Sequence, residues 1–471
     1  MNKKLLLALF VIGAIGFGLT ATINPVSAET KQGDLVFWTT ETEAWRVDII
    51  EDIAASFAGA TVDVVAIDEN DFPEQVVAAQ AAGTLPDVMQ VFYEYIGGYA
   101  AEGILDAERA TTTIGGISDL GGLPMTVNPA STGASDMYGA VPIDGWIQGI
   151  WYRTDLFAAE GLSPPNTYDR IMTAAETLHN VTDPLNPMYG IVIGTDPKAV
   201  YTQQVYEHFA LANGARAFDE NGNVILNNER QVEALEYYVD LSAYAPEGFN
   251  DWDAANQLYL TNKTAMMVYS TFIADDILGL QARPWTPIPN LGDITEAEFA
   301  ITGLHGDTAT YGQLSALGIS VDAHAQSENF IKHILNDDDN YLDWLHMAIT
   351  GKMPLKQSPG IIANWTGHEI WGSYTGLADS ILTGFESVAR WGLVGGHSYA
   401  VQVSKLYGEL IMPKAIVSVI SNITDAESAL AKAEADLKDV LGIATTPGFG
   451  AALFFASLLI LVIFVGKKRR K

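Results

Sequence analysis

The stretch "VPIDGWIQGIWYRTDLF" (141–157) alternates an acid, an indole and an amide at Asp144, Trp146 and Gln148. In a strand, residues two apart share a face, so these three side chains would point to one side. Two other stretches also mix polar and aromatic residues. Trp38, Thr39 and Thr40 close and follow "DLVFW" (34–38), and Tyr93, Glu94 and Tyr95 follow "DVMQVF" (87–92). Phe272 ends "TAMMVYSTF" (264–272), and Trp365, Trp371 and Trp391 lie in a glycine-rich late region. Carboxylates and amides hydrogen-bond hydroxyl groups, and aromatic faces stack on flat apolar surfaces. Such a set holds a ligand. Signatures of catalysis are missing: the eight histidines show no metal spacing, and there is no nucleophile elbow, P-loop or dinucleotide fingerprint. "DENGN" (219–223) starts like a calcium loop, but Val224 stands where glycine is needed and Arg230 where the closing Glu belongs, so it reads as a β-turn. "NDDDN" (336–340) reads as a solvated loop. No cofactor and no metal are expected.

The elements that must carry these residues begin with a β-α-β-α-β order. Strands are predicted at 34–38, 61–67 and 87–92. The first intervening helix puts Trp45, Ile49, Ile50, Ile53 and Phe57 on one face, with Thr42 as cap and Gly59 as stop. The second starts near Pro73 and stops at Gly83. That order implies a parallel sheet with right-handed crossovers, whose ligands sit beyond the carboxyl ends of the strands. Trp38–Thr40 and Tyr93–Tyr95 lie there. Further on, Asn228 is placed to cap a helix, strands are predicted at 264–272 and 314–321, and helices at 326–350 and 424–441.

The chain has 471 residues, no cysteine and a net charge of −32. Its two ends hold seven basic and no acidic residues, which leaves the body at −39 (18 basic, 57 acidic). So acidic a body excludes nucleic acid as a partner, because phosphates need Lys and Arg. A body of roughly 410 residues exceeds one hydrophobic core and implies two domains. At the N-terminus, Lys3 and Lys4 precede an apolar run and "VSA" (26–28), which reads as a signal peptide, 1–28, or as an uncleaved anchor. At the C-terminus, Gly448 to Val465 is apolar but for one Ser, and a basic tail at 466–471 follows. Eighteen helical residues span roughly 27 Å, about the thickness of a bilayer's hydrocarbon core. The basic tail would stay inside and the body outside. "TPGF" (446–449) ahead of this segment resembles an archaeal PGF-type sorting signal, so either a retained helix or a processed, lipid-bearing end is expected. A lipoprotein cysteine is excluded. Sequons stand at Asn180, Asn262, Asn364 and Asn422.

Four stretches resemble the family 1 extracellular solute-binding proteins, the maltose-binding type: "GTLPDVMQVFYEYIGGYAAEGILDA" (83–107), 141–157, "ANGARAFDENGNVILNNERQVEALEYYVDL" (212–241) and "YLTNKTAMMVYSTFIADDI" (259–277). The resemblance covers most of 33–441. It implies an α/β, two-lobed periplasmic-binding-protein fold of type II with hinge crossings, joined here to one C-terminal transmembrane helix. The first lobe would comprise 33–142 and 280–355, and the second 143–279 and 356–442. It further implies a monomer that takes a carbohydrate between its lobes at the cell surface and passes it to the permease subunits of an ABC importer. Sugars offer hydroxyl edges and C–H faces, which suits acids, amides and rings. By position the resemblance assigns ligand contact to Glu94, Tyr95, Trp146, Gln204, Phe272 and Tyr399. Trp38, Thr39, Tyr93, Asp144, Gln148 and Trp391 complete the expected site. Trp146 and Val91 depart from the family's pattern, so maltose itself is not implied. The alternatives are a surface glycoside-processing enzyme, which would need two acids roughly 5–9.5 Å apart across the cleft, and a receptor that works without a transporter.

Overall fold

In a computed structural model, the described residues are 35–126, 137–280, 283–373, 376–394 and 397–443. The signal peptide, the segment at 448–465 and the basic tail lie outside them. The chain opens with β1 (Leu35–Thr39), α1 (Ala44–Ala55), β2 (Val62–Ala66), α2 (Phe72–Ala82), β3 (Val88–Phe92) and α3 (Tyr93–Ala101). Strands β2 and β3 pair in parallel on either side of β1, as the sequence predicts. Gly83 ends α2 at φ +67°, a left-handed turn that glycine adopts without a Cβ clash. Asp87 ties this corner together by accepting from the Val36 and His324 amides at 2.7 Å.

One strand unites the molecule. β4 (Val141–Arg153) is buried along its whole length. β5 (Met266–Ser270) and β6 (Thr295–Glu298) pair with its C-terminal half, and β7 (Ile301–Thr302) and β8 (Thr308–Ala309) form a small hairpin nearby. Its N-terminal half pairs with β9 (Tyr311–Ile319) and β10 (Met353–Pro354). β9 in turn pairs with β3, so one sheet runs in the order β10-β4-β9-β3-β1-β2, with β5 and β6 on the far half of β4. The first lobe gathers around β1–β3 and β9. The second gathers around the far half of β4, with helices Val200–Ala212, Glu229–Ser242, Ile411–Ile420 and Ala426–Val440 packed together.

Three local expectations change. Trp45 is 40 % exposed, while Arg46, one residue on, is buried with Ile50 and Ile53. A guanidinium replaces the indole on the inner face because it finds carboxylate partners there. The helix expected at 326–350 is two helices, Ser327–Asn336 and Asp338–His346, and Asp337 caps the second by accepting from the Asp339 and Asn340 amides. "NDDDN" is therefore a helix junction and not a solvated loop. Finally, residues 288–309, grouped with the first lobe on sequence, pack on the second. The Ile288 amide bonds Leu260, Thr302 bridges Thr167, and β6 pairs with β4.

The lobes also meet through helix Ala400–Gly408, which lies against α3. The Gly98 amide donates to Ser404 Oγ at 2.9 Å, and a Cβ on Gly97 would overlap Ala400. Glycine here permits close helix approach. Gly97→Ala is expected to destabilise the fold by about 1–3 kcal/mol, read as a lower urea midpoint with an unchanged m-value.

Candidate functional site

Between the lobes opens a cleft of about 480 Å³. Its first-lobe wall is made by Thr40–Glu43 after β1, Arg46 on α1, Asp68–Asn70 after β2 and Gln90 and Phe92 on β3. These lie at or just beyond the strands' carboxyl ends, where open α/β sheets bind ligands. The second-lobe wall presents Asp196, Lys198, Asp251–Asp253, Tyr269, Phe272, Asp276 and Arg283, and Trp146, Ser315 and Lys352 form the base.

A buried ion network lies at the base. Lys352 Nζ sits 2.7 Å from Glu41 Oε1 and 3.1 Å from Asp144 Oδ2, with its side chain fully buried. Asp144 also accepts from Trp344 Nε1 at 2.7 Å and Ser315 Oγ at 2.8 Å. Glu41 takes a second cation, Arg46, at 2.8 Å, which also reaches Glu43 at 3.4 Å. Desolvation alone would raise the Glu41 carboxyl, but Lys352 and Arg46 more than offset it and hold it at about 2. Glu41 therefore stands at the cleft wall as a fixed carboxylate acceptor. On the opposite wall Arg283 Nε and Nη2 clasp Asp276 at 2.7 and 3.1 Å, and Asn256 donates to the same carboxylate.

Rings supply the apolar surface. Trp146 leans on Tyr311, Trp252 meets Tyr269 edge-on at 5.7 Å, and the Arg46 guanidinium lies 6.0 Å from the half-buried Phe272 ring. A Cβ on Gly351 would overlap that ring, so glycine makes room for it.

A second polar group lies in the seam where α3 meets the second lobe. Gln204 Nε2 donates to Glu94 Oε1 and Gln313 Oε1, each at 3.2 Å, and Gln148 Nε2 donates to the Gln204 carbonyl. Arg390 is buried, 3.0 Å from Glu207 Oε1, with its guanidinium 4.5 Å from the Tyr93 ring and 4.4 Å from the Tyr311 ring. Tyr93 Oη, Glu94 Oε2, Gln148 Oε1 and Gln204 Oε1 are buried without a protein partner. Buried polar atoms are almost always satisfied, so such a set marks a place for a ligand or water. Burial raises the Glu94 carboxyl above the usual range, against the opposing charge of Arg390.

The expected residues thus fall into three groups. Trp146 and Phe272 line the cleft, and Asp144 and Thr39 lie buried behind its wall, Thr39 donating to Gln90 at 2.8 Å. Tyr93, Glu94, Gln148 and Gln204 meet in the seam. Trp38, Tyr95, Trp391 and Tyr399 stand outside the cleft lining. Trp38 packs edge-on to Phe72, Tyr95 stacks on Tyr99, Trp391 is core with its indole bonded to the Ala215 carbonyl, and Tyr399 donates to the Glu220 carbonyl. An indole fully surrounded by protein has no face left for a ligand. The sequence reading missed Glu41, Arg46, Lys352 and the Asp276–Arg283 pair. Its available signal was a charge on an apolar stripe, since Arg46, Ile50 and Ile53 follow helical spacing.

Two lobes that share a strand and close on a polar, ring-lined cleft define a ligand-capturing protein. Residues 38–303 match the bacterial extracellular solute-binding protein family, and the chain belongs to it. This is a family of binding proteins, not of enzymes. YcjN of Escherichia coli (strain K12), named provisionally as an ABC transporter periplasmic-binding protein, is 25 % identical over 419 residues, 87 % of this chain and 92 % of its own. Two solved structures share the fold. A solute-binding protein of Thermotoga lettingae superposes with a TM-score of 0.69 at 17 % identity, covering 86 % of this chain and 99 % of its own. A sugar transporter protein of Arthrobacter chlorophenolicus gives 0.68 at 20 % identity, with the same two coverages.

Proposed function

We propose that this protein is a surface receptor that captures a carbohydrate, an oligosaccharide, between its lobes and delivers it to the permease subunits of an ATP-driven importer. The observation that carries this is the cleft itself: fixed carboxylates and amides alternate with the faces of Trp146, Phe272 and Trp252. Hydroxyl edges and C–H faces of a sugar match that alternation. The Thermotoga protein holds α-D-tagatose and the Arthrobacter protein laminaribiose, which supports a sugar as cargo.

In this reading the C-terminal end anchors the body to the membrane's outer face, either through the apolar segment 448–465 as a retained helix or through a lipid that replaces it after PGF-type processing. Intact mass of the mature protein separates the two, since processing removes the tail and adds a lipid. The lobes divide where β4 passes between them, and the receptor acts as a monomer.

The test is thermal shift of the full-length protein, in a detergent without a sugar headgroup, against mono- and oligosaccharides, polyols and amino acids. A sugar at about 100 times its Kd adds about 2.7 kcal/mol of stability. Phe272→Ala is expected to weaken that binding by about 2 kcal/mol, some thirtyfold in Kd, as loss of a central aromatic anchor does. A shift with amino acids alone would sink the carbohydrate reading.

A further inference from the structure

A second opening lies beside the cleft, a groove of about 600 Å³. Three stretches of chain run from one to the other. On α1, Trp45 lines the groove and Arg46 the cleft. On the helix Ile273–Ile277, Asp275 lines the groove and Asp276 the cleft. Further on, Met347 and Ile349 line the groove and Lys352 the cleft, and Gly351 between them abuts the Phe272 ring. The Arg46 guanidinium stands 6.0 Å from the Phe272 ring, which lines the cleft, and 5.4 Å from the Trp45 ring, which lines the groove. One side chain thus meets a ring of each opening.

The two openings differ in chemistry. The cleft interleaves its rings with carboxylates and cations. The groove is walled by Trp45, Leu278, Leu280, Met347, Ile349 and Ile370. Trp45 and Leu280 remain exposed, Leu280 by 52 %. The polar members of the groove offer little to a row of hydroxyls. Asp275 is buried and accepts from Thr350 Oγ1 at 2.8 Å, Glu369 is exposed to water, and the His346 and His368 rings lie against each other at 4.9 Å. A hydroxyl laid on aliphatic walls loses its hydrogen bonds to water and regains none. An apolar group has no such bonds to lose and gains from burial. His346 Nε2 is buried without a hydrogen-bond partner among the described residues, which marks a place for a single polar atom of a ligand or water.

Resting on the carbohydrate reading above, we propose that the cargo is a glycoside with an apolar aglycone. The sugar part fills the cleft. The aglycone, an aryl or alkyl group, lies in the groove against Trp45, Leu280 and Ile370, and the glycosidic link passes Phe272 and Arg46. His346 Nε2 then meets a single oxygen on the aglycone. The groove sets which glycosides are taken. A free sugar leaves Trp45 and Leu280 bare, and the same sugar with an apolar substituent covers them.

The experiment measures Kd by calorimetry on the full chain in lipid nanodiscs, with empty nanodiscs as the blank. The probes are matched methyl and phenyl glycosides, both anomers, in the gluco, galacto and manno series, as mono- and disaccharides, together with the free di- and trisaccharides. The phenyl glycoside of one series is expected to bind about tenfold tighter than its methyl partner, or more, the scale of burying an aromatic ring. Trp45→Ala and Leu280→Ser, each at an exposed site outside the core, should each bring that ratio to about threefold or less. Equal binding of phenyl and methyl forms in every series that binds, or a preference that both substitutions leave unchanged, overturns the inference and leaves the carbohydrate reading standing. So does a free trisaccharide that binds tighter than every phenyl glycoside and loses that advantage in Trp45→Ala, since the groove then takes a sugar unit. Binding of no probe removes both readings.

Discussion

Lys352→Met is expected to lower the stability of the protein by about 3–5 kcal/mol. The methionine fits the methylene stem, so the loss is electrostatic. Glu41 and Asp144 remain buried, one against the cleft and one beneath it, and both lose their shared cation. An uncompensated buried charge costs several kcal/mol, more than the intact pair contributes. The pH dependence gives a check with a definite sign. Glu41 is held at about 2 in the folded protein, below its ordinary 4.5. A depressed carboxyl contributes stability that is fully present above the unfolded value and is lost as pH falls through the folded value. The gap between wild type and Lys352→Met should therefore be full above about pH 5 and narrow between about 4.5 and 2. Urea midpoints of both proteins across that range measure it. A gap that stays constant with pH would mean that the loss comes from packing and not from Glu41.

Arg390→Met carries the second large effect, again about 3–5 kcal/mol. Arg390 Nε faces Glu207, Nη1 donates to the Gly312 carbonyl at 3.0 Å and Nη2 to Tyr407 Oη at 3.1 Å. The plane of the guanidinium also lies among the Tyr93, Tyr311 and Tyr407 rings. Methionine restores the volume and leaves Glu207 with hydrogen bonds from Tyr407 and the Trp391 amide but no cation. Adding Glu207→Gln removes that charge, so the double variant should recover part of the loss. A double variant no more stable than Arg390→Met would show that the rings, not the ion pair, make the contribution. The same site touches binding. Arg390 lowers the neighbouring Glu94 carboxyl, so its removal favours the protonated form of Glu94 and weakens any ligand that needs the carboxylate.

Much of the local structure follows from the sequence alone. The β-α-β-α-β opening is legible because its strands read as short apolar runs and its helices as a 3.6-residue stripe. Gly83, Asn228 and the "DENGN" turn are legible because caps and turns are local: Asn228 does accept from the Gln231 amide, and Asp219 accepts from Asn221 and Asn223. The resemblance assigned ligand contact to Phe272, Trp146, Glu94 and Gln204 by position; in the fold Phe272 and Trp146 line the cleft, and Gln204 donates to Glu94 in the seam.

Tertiary structure decided the rest, and for one physical reason. A charged residue is buried only where a distant partner meets it, and no local pattern records that meeting. Lys352 lies 311 positions from Glu41 and 208 from Asp144, and Arg390 lies 183 from Glu207. Each reads in sequence as an ordinary surface charge, and the fold alone brings each to its partner. Trp391 shows the converse. Its composition suits a stacking platform, but the second lobe closes over the ring and leaves no free face. The sequence therefore determined the β-α-β-α-β opening, the local caps and turns, and the cleft positions of Trp146 and Phe272. The fold decided which acids are neutralised by their own cations and which remain open to a ligand.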